Sequence, residues 1–180
     1  ILRRVHLGEL PFDRTVQVSV TDRLEKEQIM GRMPHNLDVV ETLIRLNKRD
    51  FRVAVSKSFS KAERQEAWKN LGRRRRRCVR LVEELGLRTQ RIEPMINTLN
   101  DFSECIDKLL ADIQEAKEDK DHQRKRDLLS QYRNIMLAIQ ETPTSLRNRV
   151  KYLNSVYATY QQAKRELSEG NLRLVVSIAK

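Results

Sequence analysis

The sequence predicts an all-α fold, an antiparallel bundle or hairpin of long amphipathic helices, and three observations carry that expectation. Helix breakers are scarce, with five Gly and four Pro among 180 residues. Charged residues make up 34% and hydrophobic residues 39%, with only 5% aromatic, as expected for narrow apolar stripes on solvated helices. Apolar side chains recur at spacings of three, four and seven over most of the chain, the period of an α-helix rather than a strand. The length suits one domain or two small ones with a real core.

The first element is a helical start on Ile1, Leu2 and Val5, stopped at Gly8. Residues 15–20 alternate polar and apolar, but no second strand offers itself for pairing, so a loop is expected there. A short helix is expected over 22–30, capped by Thr21 and ended by the Gly31 and Pro34 breakers. Asn36 then opens a helix with Leu37, Val40, Ile44, Phe51 and Val55 on one stripe. Ser60 and Glu63 have the spacing of a capping box and start the next helix, which carries Trp68, Leu71, Cys78, Val82 and Leu85 toward a stop at Gly86.

Thr89 begins the longest candidate, with Ile92, Leu99, Phe102, Ile106, Leu109 and Ile113 on one face and Pro94 in its first turns. Residues 116–126 have no apolar face and are expected to form a polar turn. Leu128, Leu129, Tyr132, Ile135, Met136 and Ile139 mark the following helix. Thr142 then caps, Pro143 takes the first helical position, and Leu146, Val150, Leu153, Tyr157, Tyr160 and Leu167 repeat as a coiled-coil-like seam, with Lys164 in its one polar slot. From Asn171 an almost unbroken apolar run of Leu172, Leu174, Val175, Val176, Ile178 and Ala179 leads to Lys180. Both ends look like cut helices, so a piece of a longer protein is expected.

The formal charge of +11, from 36 Lys and Arg against 25 Asp and Glu, favours polyanionic partners without identifying them. Cys78 and Cys105 lie inside helical patterns, so neither a disulfide framework nor a zinc spacing arises, and a reducing cytoplasmic compartment is expected. No signal peptide is visible, and the longest apolar run is too short to span a bilayer. Nothing argues for an enzyme or a cofactor. His6, His35 and His122 are scattered, and neither a glycine-rich phosphate loop nor a nucleophile motif occurs.

The sharpest local feature is the run Arg73, Arg74, Arg75, Arg76 and Arg77, with Arg80 close behind. Five consecutive arginines on a helix point in every direction, so some must lie over neighbouring helices. One reading is contact with nucleic-acid phosphates or an acidic protein surface. The other is that the stems pack while the guanidinium groups pair internally, with the acid-rich stretch 101–121 as the source of the partner acids. Trp68, Phe59 and the tyrosines 132, 152, 157 and 160 sit on or beside apolar stripes, where core packing is expected over base stacking.

Residues 163–180 resemble the segment entering the second conserved region of bacterial primary-type sigma factors, the dissociable specificity subunits of RNA polymerase. The family pattern is an Ala-Lys pair, a short polar stretch, then Asn-Leu-Arg-Leu-Val, an aliphatic, Ser, Ile, Ala and Lys. This sequence has Ala163 and Lys164, then Asn171, Leu172, Arg173, Leu174, Val175, Val176, Ser177, Ile178, Ala179 and Lys180. The match covers about a tenth of the chain, and Gly170 stands where the family usually has Ala.

The resemblance implies that residues 1–142 are the variable helical insertion of such a factor, and that 143–180 are a seam helix leading into the core-binding and −10-recognition region. It implies bacterial RNA polymerase core and promoter DNA as partners of the intact protein, with no membrane role. Leu172 and Val175 would fall on core-docking positions, and simple helix burial explains them equally well. Asn171 and Leu174 would line a pocket for a base of the −10 element on the non-template strand. For the arginines it suggests polymerase or upstream DNA, without a transferable motif. Two other readings stay open, a coiled-coil scaffold and an unrelated basic nucleic-acid-binding protein. The chain is expected to self-associate through its C-terminal apolar face.

Overall fold

The computed structural model describes residues 1–18 and 23–179, and among these the chain is all-α. Its helices are α1 (Leu2–His6), α2 (Arg23–Val55), α3 (Lys61–Glu83), α4 (Thr89–Glu118), α5 (His122–Ile139) and α6 (Pro143–Ile178). They pack as two antiparallel units. α2 and α3 form a hairpin with α1 against α2, α4 carries both α5 and α6, and α2 meets α5 where the units join.

Local chemistry sets most boundaries. The Glu63 N–H donates to Ser60 Oγ at 3.2 Å while the Ser60 N–H donates to Glu63 Oε2 at 2.8 Å, a complete capping box at the start of α3. The Ser145 N–H donates to Thr142 Oγ1 at 3.3 Å, and Pro143 sits in the first turn of α6, where its missing N–H has no partner to lose. Gly86, at φ +59°, turns the chain out of α3, and a Cβ there would stand 3.1 Å from the Gln17 carbonyl oxygen. That close approach forms a one-residue antiparallel bridge between Val16 and Leu87. The Gln17 N–H donates to the Gly86 carbonyl at 2.7 Å and the Arg88 N–H to that of Thr15 at 3.0 Å. The loop expected over 15–20 therefore holds where it is described, pinned by one pair of bonds; residues 19 and 20 lie outside the described residues.

The expected break at Gly31 and Pro34 does not occur. α2 runs through both, and Asn36 is not a helix start but a buried mid-helix residue. Pro34 removes one helical hydrogen bond, yet Ile29, Met33 and Leu37 are buried on both sides of it in a cluster with Leu2, Val5, Val16 and Leu85. Burial of this continuous stripe outweighs the lost bond. Asn36 is held from outside its helix, its amide donating to the Leu81 carbonyl at 3.2 Å and to Glu84 at 3.1 Å. Thr21, expected as a cap, lies outside the described residues.

The polar turn expected over 116–126 is much shorter. Only 119–121 leave the helix, with Lys120 at φ +57°. Asp121 caps α5, accepting from the N–H groups of Gln123 at 3.1 Å and Arg124 at 2.9 Å. The following basic residues form the first turns of α5, with Arg124 reaching back to Glu115 at 2.7 Å.

α4 and α6 are antiparallel in a clear register. Arg147 pairs with Asp107 at 2.6 Å, and seven residues further along α6 Asn154 donates to Asn100 at 3.0 Å, seven residues back along α4. Carried another eleven residues, the register places Thr89, the start of α4, opposite Arg165. Beyond that point α6 has no α4 beside it.

Candidate functional site

Two surfaces gather the predicted residues. The first is the end of α6, which runs as one continuous helix through Gly170, so Gly at this position neither ends nor breaks the rod. Leu146 is fully buried and Val150, Leu153 and Tyr157 are half-buried, but Leu167 is 67% exposed and Ile178 76%. The seam is thus covered over its first half and bare over its second, because α4 ends opposite residue 165. With a rise of about 1.5 Å per residue, the segment 165–178 projects about 20 Å past its partner.

On this projection Leu172, Leu174, Val175, Val176 and Ile178 are all exposed. At about 100° per residue, Asn171, Leu174, Val175 and Ile178 lie on one side of the rod and Leu172, Val176 and Ala179 on the adjoining side. The two sides merge into one broad apolar arc opposite Arg173 and Ser177. The residue pairs expected for polymerase docking and base contact therefore share one arc. A shallow groove of about 450 Å³ runs along its edge between Leu172, Arg173, Val176 and Ser177.

The second surface is the arginine run on α3. Its internal pairing is real for two members, but the acceptors are not the expected acids of 101–121. Arg74 turns onto α2, donating to Asp50 Oδ2 at 2.5 Å and to Asn47 Oδ1 at 3.2 Å. Arg75 turns onto the α5–α6 junction, donating to Glu141 Oε1 at 2.9 Å and to the Gln140 carbonyl at 2.5 Å. Gln140 adopts a left-handed conformation at φ +59° at the C-terminus of α5. Arg149 of α6 reaches the same Glu141 oxygen at 2.8 Å, and Ser145 donates its hydroxyl to the other oxygen. Burial pulls the Arg75 guanidinium below its ordinary pKa, with Glu141 opposing and Arg149 reinforcing that shift. Within 101–121, Glu115 pairs instead with Arg124 of α5 and Asp107 with Arg147 of α6.

What remains outward is ordered. Arg73, Arg76, Arg77 and Arg80 are exposed, at positions i, i+3, i+4 and i+7 of one helix, and no ion pair engages any of them among the described residues. Beside them runs a groove of about 560 Å³ lined by Gly72, Arg75, Arg76, Val79, Arg80, Glu83 and Arg149. Cys78 is half-buried, and burial raises its thiol pKa, away from thiolate chemistry.

Sequence reasoning missed Asp50, Glu141 and Arg149. No local pattern marks them, since each matters only through a helix distant in sequence. The aromatics divide. Trp68 packs T-shaped against buried Phe51 with centroids 5.7 Å apart, and Tyr132 and Tyr157 are half-buried. Phe59, Tyr152 and Tyr160 lie on the surface, against the expected core packing, as does part of Trp68, although Tyr160 stacks on Tyr157. Among the described residues, no group of three or more His, Cys, Asp and Glu is placed to hold a metal ion, and no helix is long and apolar enough to cross a membrane.

No protein-family model matches the chain, and neither the curated proteins nor the solved structures contain a match.

Proposed function

We propose that the chain belongs to a bacterial primary-type sigma factor, α1–α5 being its helical insertion and α6 the helix that enters the core-binding and −10-recognition region. The observation that carries this reading is the run of ten residues from Asn171 to Lys180 matching the sigma pattern, nine of them on or directly after a rod whose apolar arc stands uncovered. The intact factor would hold RNA polymerase core and bring it to promoters by binding energy alone. Leu172 and Val175 supply apolar contact to core. Asn171 offers an amide to a base edge of the displaced non-template strand while Leu174 packs against the ring. The cytoplasm is the compartment such a role requires.

Purified core polymerase immobilised on beads tests the proposal. The chain is expected to stay bound through a high-salt wash, and Leu172→Asp with Val175→Asp to abolish retention. Equal retention of both proteins would refute the assignment.

The half-covered seam favours a second reading, a coiled-coil scaffold, because Leu167 continues the seam past the start of α4 and is 67% exposed. That reading expects a concentration-dependent dimer in sedimentation that Leu167→Asp dissolves, and no polymerase binding.

A further inference from the structure

The exposed arginines of α3 are a site of their own, distant in sequence from the α6 rod and independent of its assignment. α3 places Arg73, Arg76, Arg77 and Arg80 within an arc of about 100°, while Arg74 and Arg75 are turned away and occupied by Asp50 and Glu141. The helix thus sorts six arginines into two that tie the fold together and four that face outward. From Arg73 to Arg80 the stripe runs about 10 Å, at about 1.5 Å per residue.

The surroundings keep this stripe positive. Among the described residues, Glu83 is the one carboxylate lining the adjacent groove, and Glu141, which pairs with the lining residues Arg75 and Arg149, has its oxygens already taken by them and by Ser145. The groove therefore carries the unpaired guanidinium groups of Arg76 and Arg80 beside Arg75 and Arg149, whose charge Glu141 shares, against Glu83 in its lining. Gly72 opens on the same groove with nothing within 4 Å of where its Cβ would be, so a ligand can approach the backbone closely there.

We propose that this face of α3 binds the sugar-phosphate backbone of duplex DNA without reading its sequence. Guanidinium groups recognise phosphate oxygens through paired N–H donors. One DNA strand presents a phosphate about every 3.4 Å along the axis, so a stripe of about 10 Å meets three to four of them. An acidic protein partner fits less well, because a stable protein interface needs a central apolar or aromatic anchor, and Val79 is the only large exposed apolar residue at the groove. A single strand fits less well because its affinity comes from bases stacked on aromatic rings. The one ring on the same helix, Trp68, lies off the arginine arc and packs T-shaped against Phe51.

The test is fluorescence anisotropy with the full chain and a labelled random-sequence duplex, titrated across salt concentrations. Neutralising three to four phosphates gives a slope of log affinity against log salt near −3, hence a loss on the order of 10²-fold between 50 and 200 mM salt. Each single Arg→Gln change at 73, 76, 77 or 80 is expected to lower that slope by about 0.9, and the four together to flatten it, while Arg→Lys at all four preserves it. Changing Arg32, Arg45, Lys48 and Arg52 of α2 to Gln removes the same charge and is expected to leave the slope unchanged.

Circular dichroism checks that each variant folds, and the single variants carry the test should the quadruple one not. Three results would overturn the proposal: a slope unaffected by the α3 changes, an equal loss in the α2 control, or tighter binding to polyglutamate or to the single strand than to duplex. Failure of polymerase retention would leave the inference standing, since it reads a different surface.

Discussion

Glu141 is the residue on which the junction between the two helical units depends most. Glu141→Gln keeps the shape and an acceptor but removes the charge that Arg75 and Arg149 share. The Glu141 side chain is 7% exposed, that of Arg75 30% and that of Arg149 48%. At 2.9 Å and an effective dielectric of about 20, the attraction is about 6 kcal/mol. Burial, reinforced by the neighbouring Arg149 cation, outweighs the pull of the carboxylate on this guanidinium, which is why Arg75 lies below its ordinary pKa despite Glu141 beside it.

Once the anion is lost, Arg75 is a half-buried cation with only neutral acceptors, the Gln140 carbonyl and the substituted amide, to satisfy it. Breaking a fully buried pair from one side costs about 3–5 kcal/mol; the residual exposure of Arg75 brings the expected cost of Glu141→Gln to about 1–3 kcal/mol. Arg149 swings into water and accounts for at most about 1 kcal/mol of that. Urea unfolding followed by far-UV circular dichroism gives the cost. Double-mutant cycles are expected to show stronger coupling of Glu141 to Arg75 than to Arg149. A cost below about 0.3 kcal/mol, or the reverse order of couplings, would refute the reasoning.

Gly86→Ala is expected to destabilise by about 1–2 kcal/mol or more in the same unfolding assay, because it forces a left-handed residue with its Cβ against the Gln17 carbonyl. Pro34→Ala is expected to stabilise, by up to about 3 kcal/mol, since it restores a donor inside a continuous helix; a loss of stability would mean the chain breaks there. Ser60→Ala is expected to cost about 1 kcal/mol at neutral pH. Hydrogen bonds from Ser60, first its side chain and then its backbone, hold the Glu63 carboxyl below its ordinary value of 4.5. The Glu63 contribution is therefore fully present above the unfolded value and disappears as pH falls through the lower folded one, so an acid titration of stability is expected to bring wild type and Ser60→Ala closer together.

Much of the fold was legible because helix starts and stops are local. The Ser60–Glu63 box, the Thr142 cap before Pro143 and the turns at Gly8 and Gly86 each need only a few neighbouring residues, and all are present. Misreading came where a local signal competed with distant packing. Gly31 and Pro34 have the character of breakers, but the stripe of Ile29, Met33 and Leu37 gains more by staying helical against α1 and the chain around Leu85 than the proline loses. The charged stretch after Ala116 has no apolar face, yet Asp121 alone starts a new helix within it.

For the candidate sites, the sequence by itself determined the ingredients: six arginines within eight residues, their helical period, and an apolar run at the end of α6. Only the tertiary structure decided their use. Which arginines stay outward depends on where Asp50 and Glu141 arrive, and which part of the α6 seam stays bare depends on where α4 begins. A helix's period follows from its own backbone hydrogen bonds, but its neighbour is chosen by burial and charge pairing summed over residues far apart in the chain.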